Sequence, residues 1–317
     1  MSRSIYTWFK NWKNLFFIPS FIPLFLLLSA IGDVYAQERD SITKEVTNIV
    51  TYPKTITLRL GISNEFNSYI ISDKKADLNA TISPNQEIKS TLSLTFRFIE
   101  IDVGYTPTFL KFNHDDKEKG KTKFFNLGTR FYVKQWMQNL ELSKTKGYYI
   151  SAKDFGYPDE NNVIFPDLKV FKIGGSTSYI FNPDFSFRAI FKQTEWQQKS
   201  SGSFVPTLSY YYTDFKNEGM GKDQYVDVAT GPSYFYNWII ANKFLVSAGA
   251  FGGIGYSHVR SSGFTDGTAS SKSDGLNYRT EFTVAIGYNS TKFFTGVNVS
   301  INSFYHNVET DFRVDDQ

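Results

Sequence analysis

The chain has 317 residues, 21% of them charged and 18% aromatic, with 31 Phe, 20 Tyr and no Cys. That length fits one large or two ordinary domains, and a mean hydropathy of −0.31 excludes a bundle of several apolar helical spans. The missing cysteine excludes disulfides, thiolate metal sites and cysteine nucleophiles, and a formal net charge of +3 points to no nucleic-acid partner.

The first residues, MSRSIYTWFKNWKN, carry Arg3, Lys10 and Lys13. An apolar run follows from Leu15 to Ile31, and Val34-Tyr35-Ala36 puts small residues at the two positions that a signal peptidase reads. This is the charged, apolar, small-residue layout of a secretory signal. The expected organisation is a signal peptide over 1–36, cleaved between Ala36 and Gln37, and then a short periplasmic segment over 37–54. The main domain is expected over 55–317. A retained anchor is the weaker reading, because the run is short for a span and contains Pro19 and Pro23.

From Ile56 onward the chain alternates apolar and polar residues, the period of β-strands. Ile56, Leu58, Leu60 and Ile62 oppose Thr57, Arg59, Gly61 and Ser63. Leu92, Leu94, Phe96 and Phe98 oppose Ser93, Thr95 and Arg97. The phase then flips to Ile99, Ile101, Val103 and Tyr105, with Glu100 and Asp102 opposite. A period of two cannot change phase within a regular strand, so a tight turn or bulge is expected near Phe98-Ile99. Further sets follow over Phe125–Val133, Phe171–Phe181, Phe185–Phe191, Val226–Trp238, Phe244–Ile254, Phe282–Tyr288 and Phe293–Ile301. No stretch after the leader reads as a convincing amphipathic helix.

Three features favour a membrane barrel over a soluble sandwich. Several runs reach the roughly 9–11 residues that a tilted strand needs to cross a bilayer. Connections alternate in length, short near Phe98-Ile99, Gln135, Asn182–Asp184, Ile240–Asn242 and Asn289-Ser290. They are long and polar near Asp73–Gln86, His114–Lys121, Asp154–Asn162 and His258–Gly275. Tyr148, Tyr149, Tyr210, Tyr211, Tyr212, Tyr236 and Trp238 crowd strand ends, where an aromatic girdle would lie. The expected fold is an all-β, transmembrane, antiparallel up-and-down barrel of about 12 strands, within a range of about 10–14. Phe185, Phe187 and Phe191 are then expected to face lipid. One segment fits poorly: Phe204–Asp214 also reads as a strand, and it has no place if Asn182–Asp184 and Ile240–Asn242 are both hairpin turns on one side.

The central third resembles a known family. FFNLGTRFY (Phe124–Tyr132), KGYY (Lys146–Tyr149) and YIFNPDFSFRAIFKQTEWQQKSSGSF (Tyr179–Phe204) are similar to a bacterial outer-membrane barrel family catalogued as domain of unknown function 4421. That resemblance implies a barrel in the outer membrane of a Gram-negative bacterium, with outer-membrane lipid and the barrel assembly machinery as partners. Phe312, in the tail DFRVDDQ, is the nearest match to the C-terminal aromatic that such machinery reads. No activity comes with the family.

Few residues offer chemistry. His114 sits in the charged loop HDDKEKGK, and His306 in SFYHNVET. His258 lies beside Ser257, Ser261 and Ser262, an arrangement that would permit activation of a serine in a lipid-modifying enzyme. GAFGGIGY (Gly249–Tyr256) fits no nucleotide-binding motif, and its glycines read as small inward residues that let a strand bend. Asp266 and Asp274-Gly275 lack calcium-loop spacing. Neither catalysis nor a cofactor is expected. By alternation Arg59, Arg97, Glu100, Asp102, Arg130, Lys134, Arg188, Lys192, Arg279 and Glu281 should face the lumen. They would line a small channel for a polar or anionic solute, or form an ion-pair network that fills a closed barrel.

Overall fold

A computed structural model describes residues 48–51, 56–64, 67–73, 78–85, 88–96, 99–105, 116–155, 161–191, 195–217, 221–262, 270–289, 294–308 and 312–316. All lie in the unit Arg39–Gln317. The leader, its Ala36-Gln37 junction, Arg97, His114, Lys192 and Asp266 fall outside the described residues.

Among the described residues the chain is all-β and antiparallel, with two short α-helices and one 3-10 turn over Ala152–Phe155. It begins with β1 (Ile49–Thr51), β2 (Ile56–Asn64), β3 (Tyr69–Asp73), β4 (Leu78–Ser83), β5 (Ile88–Phe96) and β6 (Ile99–Tyr105). A short helix α1 (Asp116–Lys119) precedes β7 (Lys123–Val133), β8 (Trp136–Ile150) and β9 (Val163–Tyr179). Helix α2 (Phe187–Phe191) follows, with the short strands β10 (Glu195–Gln197) and β11 (Ser201–Phe204). Then come β12 (Thr207–Asn217), β13 (Gly221–Gly231), β14 (Ser233–Ile240), β15 (Phe244–Ser262), β16 (Ser271–Asn289), β17 (Phe294–Val308) and β18 (Phe312–Asp316).

The long strands stand side by side in the order β2-β5-β6-β7-β8-β9-β12-β13-β15-β16-β17. A second route joins β17 to β18, β18 to β3, β3 to β4, and β4 back to β8 at Ile82↔Ile150 and Ser83↔Tyr149. Among the described residues β2 and β17 share no pairing. β14 continues the line of β13 past Pro232, pairing with β15 and β11. The small pair β1–β10 stands apart from the large sheet.

Short turns collect at one end of the strands, here called the turn end; the opposite end is the loop end. Lys134 and Gln135 make the β7–β8 turn, and Ala241–Lys243 make the β14–β15 turn. Lys134, Ala241 and Asn242 have φ of 55°, 50° and 57°, the left-handed values that tight hairpins require. Two long loops expected at the other end are shorter than the sequence suggests. Much of Asp73–Gln86 belongs to the β3–β4 hairpin, and β15 and β16 run on well past His258 and Gly275.

The alternation is real, and its sense is inverted relative to a soluble protein. On β16 Leu276, Phe282, Val284 and Ile286 are 48–61% exposed, while Asn277, Arg279 and Thr283 between them are at most 8% exposed. The same holds on β5, where Leu92, Leu94 and Phe96 are exposed and Ser93 and Thr95 are buried. Aromatic rings on the outward face cluster at the turn end. Trp136, Tyr179, Phe181 and Phe204 form a chain of ring contacts, and Tyr236–Trp238 and Phe244–Tyr288 form two more. Tyr148 and Tyr211, expected among outward girdle residues, instead point inward and are 1% and 7% exposed.

The largest departure from expectation is residues 182–203. Asn182–Asp184 is not a hairpin turn between two neighbouring long strands. The hydrogen bonds Tyr179 N to Pro206 O and Phe181 N to Phe204 O carry the chain from β9 across to β11 and β12. Between them the segment Phe185–Phe191 folds inward, while Pro183, Lys199 and Ser200 are exposed. Phe185 and Phe187 are each 3% exposed, against the expectation that they face outward, and Phe191 is half-buried. This also places Phe204–Asp214: β11 and β12 are the next wall strand, and the misassigned turn had left no room for it. The physical reason is competition for the same rings. An Asx turn, with Asp184 N donating to Asn182 Oδ1 at 3.0 Å, redirects the chain. Ser186 then caps a helix by accepting from Ala189 N at 3.0 Å.

Gly249 of β15 is where the wall gives way to this insertion. A Cβ there would overlap the ring of Phe235, itself packed on Phe185 and Phe187. Gly252, outward on the same strand, has nothing near its Cβ position. Gly249→Val is therefore expected to lower stability by about 1–3 kcal/mol, and Gly252→Ala to change it by less than about 0.5 kcal/mol. Urea unfolding of the refolded chain measures both.

Candidate functional site

The site is the concave side of the sheet, where the polar faces of the strands converge. Its turn end is filled by an apolar cluster of Phe185, Phe187, Ala189 and Ile190 from the insertion with Ile180 and Val205 flanking it, packed on Phe235, Leu245 and Ala285 of β14, β15 and β16. Tyr132 of β7 and Met137 of β8 close it from the far side. Helix α2 thus has wall strands around it.

Polar contacts fix the insertion. Asn237 of β14 is fully buried, and its Nδ2 donates to Ser186 O at 3.1 Å and to Gln197 Oε1 at 2.7 Å. Arg188 pairs with Glu195 at 3.2 Å and lies 4.3 Å from the centre of the Tyr132 ring. Ser186 Oγ donates to Glu195 Oε2 at 2.6 Å. Asn182 Nδ2 ties the two ends together through Ser201 Oγ at 2.9 Å and Gly202 O at 2.8 Å.

The expected inward charges divide into three groups. Arg59, Glu100, Asp102, Arg130, Arg279 and Glu281 do face inward from the strands, opposite exposed apolar neighbours. Arg188 is interior too, but on α2 and not on a wall strand. Lys134 is not inward: it occupies the β7–β8 turn, exposed, because the left-handed turn ends the alternation one residue early. Arg97 and Lys192 lie outside the described residues.

The inward charges are brought into contact rather than spread along a wall. Arg130 meets Glu100 at 3.7 Å and the Phe191 ring at 5.3 Å, and Arg59 donates to Phe191 O at 2.6 Å. The cations of β2 and β7 therefore hold the C-terminal end of α2, where helix carbonyls lack internal partners. Further toward the loop end Arg279 meets Glu281 at 3.3 Å and lies within 5.6 Å of the rings of Tyr211, Phe251 and Phe304. Lys172 lies over Tyr211 at 4.9 Å. Cations against ring faces keep part of their electrostatic stabilisation where water is scarce.

Sequence reasoning missed a buried polar chain near the loop end. His306 Nε2 lies 3.0 Å from Asp227 Oδ1, Ser257 Oγ donates to the same carboxylate oxygen, and Asn277 Nδ2 donates to Ser257 Oγ at 2.9 Å. All four residues are at most 5% exposed. The signal for Asp227 was available, since it alternates with the outward Val226 and Val228. Tyr69, Tyr148, Leu168, Val170, Tyr225 and Val259 form a second apolar cluster beside the chain.

His258 stands elsewhere. It faces outward, with Nδ1 2.6 Å from Asp274 Oδ1, and Tyr256 Oη donates to that oxygen at 2.5 Å. Ser257 is its sequence neighbour but belongs to the opposite face of β15, so the two do not form a nucleophile–base pair. A shared carboxylate between an exposed phenol and imidazole reads as a surface cross-strand contact.

Replacing Asn237 by Leu removes both donors to the insertion and leaves Ser186 O and Gln197 Oε1 buried without them. The expected cost is about 1–3 kcal/mol, read as a lower urea midpoint together with faster proteolysis within 182–203.

No curated protein and no solved structure matches the chain. Over residues 38–316, nearly all of the sheet and its inserted segment, it matches one family, and the chain belongs to that family, described as Domain of unknown function (DUF4421).

Proposed function

We propose that this chain is a signal-directed β-barrel of the Gram-negative outer membrane whose lumen is closed by residues 182–203, so that it acts as a structural or partner-binding barrel and not as an open pore. The inverted burial supports the membrane reading. Contiguous apolar surface of this extent is unfavourable in water, and in lipid it is the surface required. From Leu276 to Tyr288 the outward face of β16 carries mostly large apolar side chains. Twelve residue steps at about 3.4 Å, tilted about 40°, give a height of roughly 30 Å, close to a hydrocarbon core.

Strand continuity supports a barrel of about twelve strands. With β2 continued by β3, β4 by β5, β11 by β12 and β13 by β14, the wall has twelve tracks, of which the last, β18, pairs with β3. In a bilayer every backbone polar group needs an internal partner, so a spanning sheet is under strong pressure to close.

The observation that carries the closed reading is the aromatic cluster around α2. A conducting path would have to pass Phe185, Phe187 and Phe235, which are packed ring to ring at 4.8–6.4 Å. The channel reading keeps one specific support. The insertion leaves the wall at Phe181 and re-enters with β11 at Ser201–Phe204, side by side, so residues 182–200 are a tethered plug that could leave without breaking the sheet.

Single-channel recording separates these. The refolded chain, checked for heat-dependent gel mobility, is expected to give no steady conductance steps. Replacing 182–200 by a short Gly/Ser linker, which leaves β11 in place, is expected to produce discrete steps. Steps from the unaltered chain would sink the closed reading in favour of a channel.

A further inference from the structure

Five lysines stand directly opposite one another on the outward face at the loop end. Lys123 of β7 pairs in register with Lys146 of β8, Lys146 with Lys169 of β9, Lys169 with Lys216 of β12, and Lys216 with Lys222 of β13. Alternation sets the face: Phe124, Thr145, Leu168 and Val170, one residue away, are buried on the inner side. Four strand spacings of about 4.8 Å make the row roughly 19 Å long.

Like charges directly opposite each other weaken a sheet, so this row works against the sheet that carries it. Two carboxylates offset part of the charge. Lys146 Nζ lies 2.8 Å from Asp167 Oδ1, and Lys222 Nζ lies 3.4 Å from Asp214 Oδ1. The Lys146–Asp167 pair is 39% and 49% exposed, and such a pair contributes little, whereas Asp214 is half-buried against Lys222. Arg260 and Lys272, opposite each other on β15 and β16 and both exposed, continue the cationic rim around the wall.

The level of the row is the second observation. At the next outward position toward the turn end the row reads Phe125, Lys144, Phe171, Asp214 and Gln224, and one position further Leu127, Leu142, Ile173, Tyr212 and Val226 begin the apolar belt. The lysine row therefore stands just above the edge of the apolar belt, separated from it by one mixed row, and long lysine stems can lie over Phe125 and Phe171 with the ammonium above them.

We infer that the lysine row binds the phosphate groups of an anionic lipid in the leaflet at the loop end; this rests on the membrane-spanning reading above. Each phosphate presents several acceptor oxygens and can bridge ammonium groups on adjacent strands, turning a repulsive ladder into a bound one. A phosphorylated lipid is favoured over a soluble anion because its acyl chains lie on the apolar belt beneath.

Native mass spectrometry tests this. The chain, folded in detergent, is titrated separately with diphosphorylated lipid A, phosphatidylcholine and inorganic phosphate. Lipid A adducts are expected, with weaker uptake of phosphatidylcholine and none of phosphate at the same concentration. The variant K169Q/K216Q should bind lipid A about thirtyfold more weakly, from roughly fivefold per lysine, with phosphatidylcholine uptake unchanged. K134Q, at the turn end, should behave as the parent. If the double variant loses its heat-dependent gel mobility, K216Q alone should show the fivefold loss. Equal lipid A affinity in parent and variant overturns the inference, and so does inorganic phosphate binding as tightly as lipid A. Flotation with phosphatidylcholine vesicles reports the membrane reading separately. A chain that does not float overturns both readings, whereas one that floats without a lysine-dependent lipid A preference overturns this one alone.

Discussion

Everything in this structure follows from one inversion: the strands expose their apolar faces and bury their polar ones. A side-chain period of two leaves no intermediate arrangement, because a strand that turns Leu276, Phe282 and Ile286 outward must turn Asn277, Arg279 and Thr283 inward. The interior is then a polar volume from which water is largely excluded. Every charge and amide placed there needs a partner or carries a desolvation cost of several kcal/mol, of the order of 2–7 kcal/mol for an amide or hydroxyl left alone.

The interior meets part of that demand with contacts that span strands and join wall to insertion, while atoms such as Asn237 Oδ1 and Asn277 Oδ1 are buried without a hydrogen bond among the described residues. Arg130 with Glu100 and Arg279 with Glu281 are wall-to-wall or within-strand pairs, whereas Arg59 reaches a backbone carbonyl of α2 and Asn237 reaches two groups of the insertion. Aromatic rings complete the environment of the cations. The insertion is thus the group that satisfies part of the wall, and the wall in turn supplies the only surface on which Phe185 and Phe187 can be buried.

The insertion also explains why a glycine sits at position 249 while neighbouring inward positions carry larger groups. The Phe235 ring needs the space that a Cβ would take. Gly249 is in this sense the imprint of the inserted segment on β15.

Much of this was legible in the residues. Strict alternation over Leu92–Phe96 or Phe282–Tyr288 dictates strands, the phase flip at Phe98-Ile99 dictates a break there, and the same alternation assigns Arg59, Glu100, Asp102, Arg130, Arg279 and Glu281 to the polar face. These are local properties, since the identity of one neighbour decides the face of the next. Residues 182–203 were not legible, because F-x-F spacing over Phe185–Phe191 suits an outward strand as well as a capped turn of helix, and only the cavity enclosed by β7, β8, β14, β15 and β16 selects between them. Lys134 shows the same limit on a smaller scale: alternation gives its parity, but a left-handed turn removes it from the strand. Pairing across the sheet was equally hidden. Asp227 with His306, or Lys169 between Lys146 and Lys216, are meetings of residues far apart in the chain, and strand register, a tertiary property, is what brings them together.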